Sequence, residues 1–391
     1  MAVAVEPVAI APWLFSARTE QALHDYADAL RTVTADPADV AATLATRQDF
    51  EHRGALIDGK LLTTTNTGAT PGRKTAFLFT GQGSQHPGMG HDLYRCEPVF
   101  AAAIDEINTH LGDTIFTDDL EPTGNAQPAL FALEVALHRL LEHRGITPDI
   151  VCGHSIGELA AAHIAGILTL EDACTLVSTR ARLMQNLPPG GTMISIRATP
   201  DDVTPHLTPG VTIAAINAPD ALVISGTEHE THATAQHFTH TQRLHVSHAF
   251  HSPLMEPALP AFHAIAETLT YHQPTTPIIT TTPGDPTTPH YWTNQIRSTV
   301  DFATAATTLQ NHLTIELGPH PTLTTLTQGH PTLHRTTPHH TTLATTIAHT
   351  YLNGTNPTPP QPHTPHTHTH PHTPHTELPT YPFQHQRHWL N

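Results

Sequence analysis

The stretch "GHSIG" at 153–157 sets Ser155 between two glycines, each two residues away. A serine hydroxyl is a poor nucleophile at neutral pH and needs a base to take its proton. The setting of this serine is what points to chemistry. The apolar run "DIVC" precedes it and "ELAAAHIAG" follows, so it falls on a strand-to-helix turn. Gly-x-Ser-x-Gly at such a turn forms a nucleophile elbow, exposing the hydroxyl while the glycines admit close backbone. The helix that follows aims its N-terminal amides at developing negative charge. The reaction this permits is acyl transfer through a serine ester, with the acceptor still open.

The base has to be found among 35 histidines. "VSHAFHSPLM" at 246–255 is the best-placed segment, because the chain re-enters its main body there after an inserted unit. A hydrolase triad would add an acid between serine and histidine. Glu158, Asp201 and Glu228 lie in that interval, none in a recognisable triad context, so a serine hydrolase such as an editing thioesterase stays open.

Several elements must hold these groups. "AFLF" at 76–79 is a continuous apolar run, the mark of a strand buried on both faces. A helix over about 126–144 carries Leu130, Leu133, Leu137, Leu140 and Leu141, with Gly145 as its cap. Strands alternating with helices give an α/β fold with a parallel sheet, α/β-hydrolase-like around the elbow. Over 191–247 the order becomes βαββαβ, a small ferredoxin-like subdomain inserted in the larger one. A helix at 252–269, a strand at "PIITT", a helix at 301–312 and a strand at "TIELG" complete the large body. Residues 1–74 form a small α/β unit ahead of it, with a helix capped by Thr19. The expected organisation is therefore 1–74, then 75–190 with 248–352, the insert 191–247, and a Pro/Thr/His-rich tail at 353–391. That tail is expected to be extended, with Tyr381, Phe383 and Trp389 packing its end onto folded surface.

Seventeen basic against 34 acidic residues argue against nucleic acid as a partner. No apolar run approaches the ~20 residues of a membrane helix, and the N-terminus lacks the pattern of a signal peptide. Three cysteines, Cys96, Cys152 and Cys174, suit buried thiols, and a cytoplasmic setting is expected. The histidine tract could chelate a divalent ion but offers no rigid frame, so no metal site is expected.

The motifs "FTGQGSQHPGMG", "GHSIGELAAAHIAG", "RARLMQ", "INAPDALVISG", "HAFHSPLM" and "ELGPHPTL" occur in one order. Together they resemble the acyltransferase domains of modular type I polyketide synthases, within the malonyl-CoA:acyl carrier protein transacylase family. "PWLFSARTEQAL" resembles the linker from ketosynthase to acyltransferase, and "LPTYPFQHQRHWL" the linker after it, which suggests a fragment of a larger synthase. The resemblance implies that Ser155 is the nucleophile and His251 the general base. A backbone carbonyl, with Gln295 in its place, would orient the imidazole instead of a carboxylate. Amides of Gln82 and Ile156 would form the oxyanion hole, and Arg180 would clamp a substrate carboxylate, leaving Arg182 on the surface. His154 would only shape the elbow, and Asn217 would be structural.

The same resemblance implies an extender unit. "HAFH" goes with malonyl and "YASH" with methylmalonyl, so His248, Ala249 and Phe250 are the specificity residues. Phe250 would fill the volume an α-methyl needs. Ile156 and "TGNAQPALFALE" point the same way. The implied donor is malonyl-CoA and the acceptor the phosphopantetheine thiol of an acyl carrier protein, with no bound cofactor. Partners would be that carrier and the ketosynthase and other domains of the synthase. Methylmalonyl or another extender remains the alternative.

Overall fold

The computed structural model describes residues 11–360 and 376–383. The chain divides into two compact units. The first combines residues up to Arg73 with Leu141–Thr147 and the residues from Thr336 onward. Its three-stranded antiparallel sheet is formed by Trp13–Ala17, His52–Ile57 and Lys60–Thr63. Asp58 and Gly59, both at positive φ, turn the second strand into the third. Thr19 caps the helix Glu20–Leu30, accepting from the Ala22 amide at 3.1 Å. That helix packs Leu23, Tyr26 and Leu30 on Phe15 and Leu56. The helix His339–Leu352, placed by the sequence pattern with the large body, belongs to this unit instead. The Arg53 guanidinium lies over the Tyr351 ring and donates to the Tyr351 carbonyl at 2.8 Å, which fixes the helix there. Tyr381 packs into the same core, whereas Phe383 is exposed. Trp389 and most of the histidine tract lie outside the described residues.

The second unit holds the elbow. Its parallel sheet runs Ile278–Ile279, Ile150–Gly153, Thr75–Phe79, Leu313–Leu317, His330–Pro331. Thr75–Phe79 is buried along its whole length, as the unbroken apolar run over 76–79 requires. The insert forms a second, mixed sheet in the order Val211–Ala218, Ala221–Gly226, Thr192–Ile196, Thr241–Arg243. These strands pair antiparallel around a core of Ile194, Ile196, Val203, Ile213, Leu222 and Ile224. The fold is thus α/β-hydrolase-like with a ferredoxin-like insertion. Val300–Asp301, from the returning chain, adds a parallel strand beside Val211–Ala218. That strand replaces the start of the helix expected from 301, which instead begins at Phe302 with Asp301 as its cap. The last strand of the insert, Thr241–Arg243, is only three residues long, and all three are exposed. Among the described residues no helix is long and apolar enough to cross a membrane.

Candidate active site

Close packing forces the elbow's two glycines. A Cβ on Gly153 would lie 2.3 Å from the Glu158 Cα, and one on Gly157 would lie 2.4 Å from the Phe79 carbonyl oxygen. Between them Ser155 holds φ at 53°, in the left-handed region that non-glycine residues seldom adopt. Strand Ile150–Gly153 delivers it and helix Gly157–Ile164 follows. His251 also sits at positive φ, 55°. Its loop is closed by Ser252, whose hydroxyl donates to the Ala249 carbonyl at 2.6 Å and accepts from the Leu254 amide at 3.2 Å.

These two residues, 96 apart in the chain, meet: Ser155 Oγ is 2.7 Å from His251 Nε2. The Ser298 carbonyl faces Nδ1 at 2.9 Å, and the expected Gln295 backbone also bonds to the ring. Of the two, Ser298 contributes more, and Gln295 ends the helix Pro289–Gln295 just before it. The Gln295 side chain has a different task. Its amide donates to the Ser155 carbonyl at 2.7 Å and to Glu158 Oε2 at 3.2 Å. Burial, then the fields of Arg180 and His154, push the His251 pKa down to about 3. The resting imidazole is therefore neutral and can accept the serine proton.

Arg180 lies on the apolar face of helix Leu170–Gln185, beside Leu176, Val177 and Met184, and is 3% exposed; Arg182 points outward. Nη1 donates to Gln127 Oε1 at 2.6 Å and Nη2 to Ser155 Oγ at 3.3 Å, while Nε has no partner. Burial lowers its pKa to about 10, so it stays charged at neutral pH. A buried cation with one open edge is suited to a carboxylate. Gln127 is itself held, donating to Thr123 Oγ1 at 2.8 Å, which donates to Gln82 Oε1 at 2.8 Å. Among the described residues, the Gln82 and Ile156 amides have no protein acceptor, which leaves both available to an oxyanion.

The cleft in front of Ser155 measures about 500 Å³. Met193, Ala214, Ala215, Val223 and Phe250 line its apolar wall. Of the three residues expected to set specificity, only Phe250 lines the cleft. Ala249 is buried, and His248 bonds to the Leu187 carbonyl at 3.3 Å. Ile156 is buried and outside the cleft lining.

The sequence pattern did not disclose the supporting polar groups. Glu158 accepts from the Thr281 amide at 3.1 Å, from Tyr291 and from Gln295. Burial raises its pKa to about 7 against those bonds. His154 bonds to Asn217 of the insert at 3.0 Å, so both do more than fill space: they tie elbow to insert. Gln127 was detectable as the polar residue between Ala126 and Leu130 on a buried helix face. Among the described residues there is no cluster that could hold a metal.

The acyl transferase domain family matches residues 76–348. Polyketide synthase GfsA of Streptomyces halstedii is 36% identical over 97% of this chain and 6% of its own length. Mycoketide-CoA synthase of Mycobacterium tuberculosis is 42% identical over 75% of this chain and 8% of its own. The chain thus spans less than a tenth of either relative. Among solved structures, the acyltransferase domain from the second module of the salinomycin polyketide synthase superposes with a TM-score of 0.74 at 38% identity. That match covers 90% of this chain and 96% of that domain. FabD from Acinetobacter baumannii gives 0.65 at 28% identity, covering 73% and 98%.

Proposed function

This chain belongs to the acyl transferase domain family of polyketide synthases, and on that premise we propose that it loads malonyl from malonyl-CoA onto the phosphopantetheine thiol of an acyl carrier protein. His251 Nε2 takes the proton of Ser155 as Oγ attacks the thioester carbonyl. The oxyanion is received by the Gln82 and Ile156 amides, a contact typically worth ~10²–10³ in rate per donor. The C–S bond breaks, and the imidazolium returns its proton to the departing thiolate of coenzyme A. The carrier thiol then gives its proton to His251 and attacks the seryl ester, and Ser155 leaves with the proton restored. Ser298 holds the ring through Nδ1 in both halves, and Arg180 anchors the malonyl carboxylate. Malonyl rather than methylmalonyl is favoured by Phe250 in the cleft wall.

The observation that carries this reading is Ser155 Oγ at 2.7 Å from His251 with the open edge of Arg180 beside it. A carbonyl rather than a carboxylate at Nδ1 speaks against the hydrolase triad. The test is acceptor dependence. With malonyl-CoA and a holo carrier, coenzyme A release should track malonyl carrier formation. Steady release without any thiol acceptor would make the protein a hydrolase.

A further inference from the structure

The strands Ile150–Gly153, Thr75–Phe79, Leu313–Leu317 and His330–Pro331 lie side by side and parallel, so their carboxyl ends open on one edge. Open α/β sheets bind ligands on that edge. Ser155 follows the first strand, His86 the second, His320 the third, and His334 with Arg335 the fourth. The last four side chains gather. The His320 and His334 rings are 4.7 Å apart, and the Arg335 amide donates to His320 Nδ1 at 3.3 Å. The Arg335 guanidinium is exposed and makes one long contact, 3.5 Å, to the Ser84 carbonyl. It has no carboxylate partner among the described residues. The neighbouring acid, Glu316, is already occupied by the Thr322, Leu323 and Thr324 amides. Burial and then the positive fields of His334, Arg335 and His86 lower the His320 pKa against Glu316.

We propose that His86, His320, His334 and Arg335 form a binding site for the phosphate of a phosphopantetheine arm whose thiol end lies at Ser155. This rests on the acyl-CoA-to-carrier reading above. Three strand spacings of about 4.8 Å separate the elbow from the last strand, about 14 Å in all. An extended arm, not a compact substrate, spans such an edge. Gly83 and Gln85 line the cleft, and the loop they belong to carries His86 toward the cluster. Acyl-CoA and holo carrier bear the same arm and phosphate, so one site serves both half-reactions.

The test compares wild type, Arg335→Gln and His334→Gln on malonyl-CoA and on malonyl-pantetheine, which lacks the phosphate, with holo carrier or free pantetheine as acceptor. Each variant should raise KM for the phosphorylated partner about tenfold more than for its phosphate-free counterpart, the effect of one charge-assisted contact. A differential confined to the donor assigns the site to the coenzyme A phosphate, and one confined to the acceptor assigns it to the carrier phosphodiester; either supports the site. Equal changes on both kinds of partner overturn it. Calorimetry with 4′-phosphopantetheine and pantetheine reads the site without turnover. Wild type should prefer the former and Arg335→Gln should lose that preference; no preference in wild type sinks the site. Failure of wild type to acylate Ser155 from either thioester would instead bring down the acyl-transfer reading.

Discussion

Replacing Arg180 with alanine should convert a malonyl-selective site into one that takes uncharged acyl groups. Gln127 occupies Nη1, so a substrate carboxylate is left Nη2 and the unpartnered Nε. Two charge-assisted hydrogen bonds in that buried setting are worth about 1.5–3 kcal/mol each. Losing both should cost about 3–6 kcal/mol, or ~10²–10⁴ in kcat/KM for malonyl-CoA. Acetyl-CoA should gain, because wild type must leave a desolvated guanidinium unpaired when it binds a group without a carboxylate. Arg180→Lys should fall between, since an ammonium keeps the charge but not the fork. The assay is competitive loading from a mixture of the two thioesters, read as the ratio of acyl groups on the protein. Equal losses for malonyl and acetyl would mean that Arg180 acts on Ser155 alone, and an unchanged malonyl rate would remove the clamp altogether.

The depressed His251 pKa predicts a flat acid side for serine acylation. An ordinary imidazole would be about 97% protonated at pH 5, whereas one near 3 stays neutral, so kcat/KM at pH 5 should remain within about twofold of its value at pH 7. An acid limb near pH 6.5 would contradict that. The same shift has a stability sign: neutral His251 contributes fully above the unfolded value of about 6.5, and the contribution is lost as pH falls toward 3. Exchanging His248, Ala249 and Phe250 for Tyr, Ala and Ser should shift donor use toward methylmalonyl by ~1–3 kcal/mol, nearly all of it reproduced by Phe250→Ser alone. An unchanged donor ratio would remove the steric account. Gly157→Ala drives a Cβ into the Phe79 and Thr80 carbonyls and should cost about 2 kcal/mol or more, roughly 4–8 °C in Tm. Unaltered melting would show that the elbow can relax.

The elbow was legible because local rules converge on it: a buried strand, two glycines that only close packing explains, and a helix start. Arg180 was singled out only by the family resemblance, while the βαββαβ rhythm marked the insert. His251 was not legible from composition, since one histidine among 35 carries no local signature; only the ordered motifs singled it out. Contacts that depend on long-range packing stayed hidden. Ser298 meets His251 from 47 residues away, Gln295 meets the Ser155 carbonyl from 140, and Asn217 meets His154 from 63. The strand Val300–Asp301 is two residues long, too short to show a period of its own, and exists through pairing with Val211–Ala218.

Mass measurement of the intact protein after brief exposure to malonyl-CoA bears most directly on the Ser155–His251 pair. Wild type should gain a single malonyl group, mapped to the peptide containing Ser155, His251→Ala should gain it far more slowly, and Ser155→Ala should gain none. Labelling of Ser155→Ala to the wild-type extent would contradict the account at its centre.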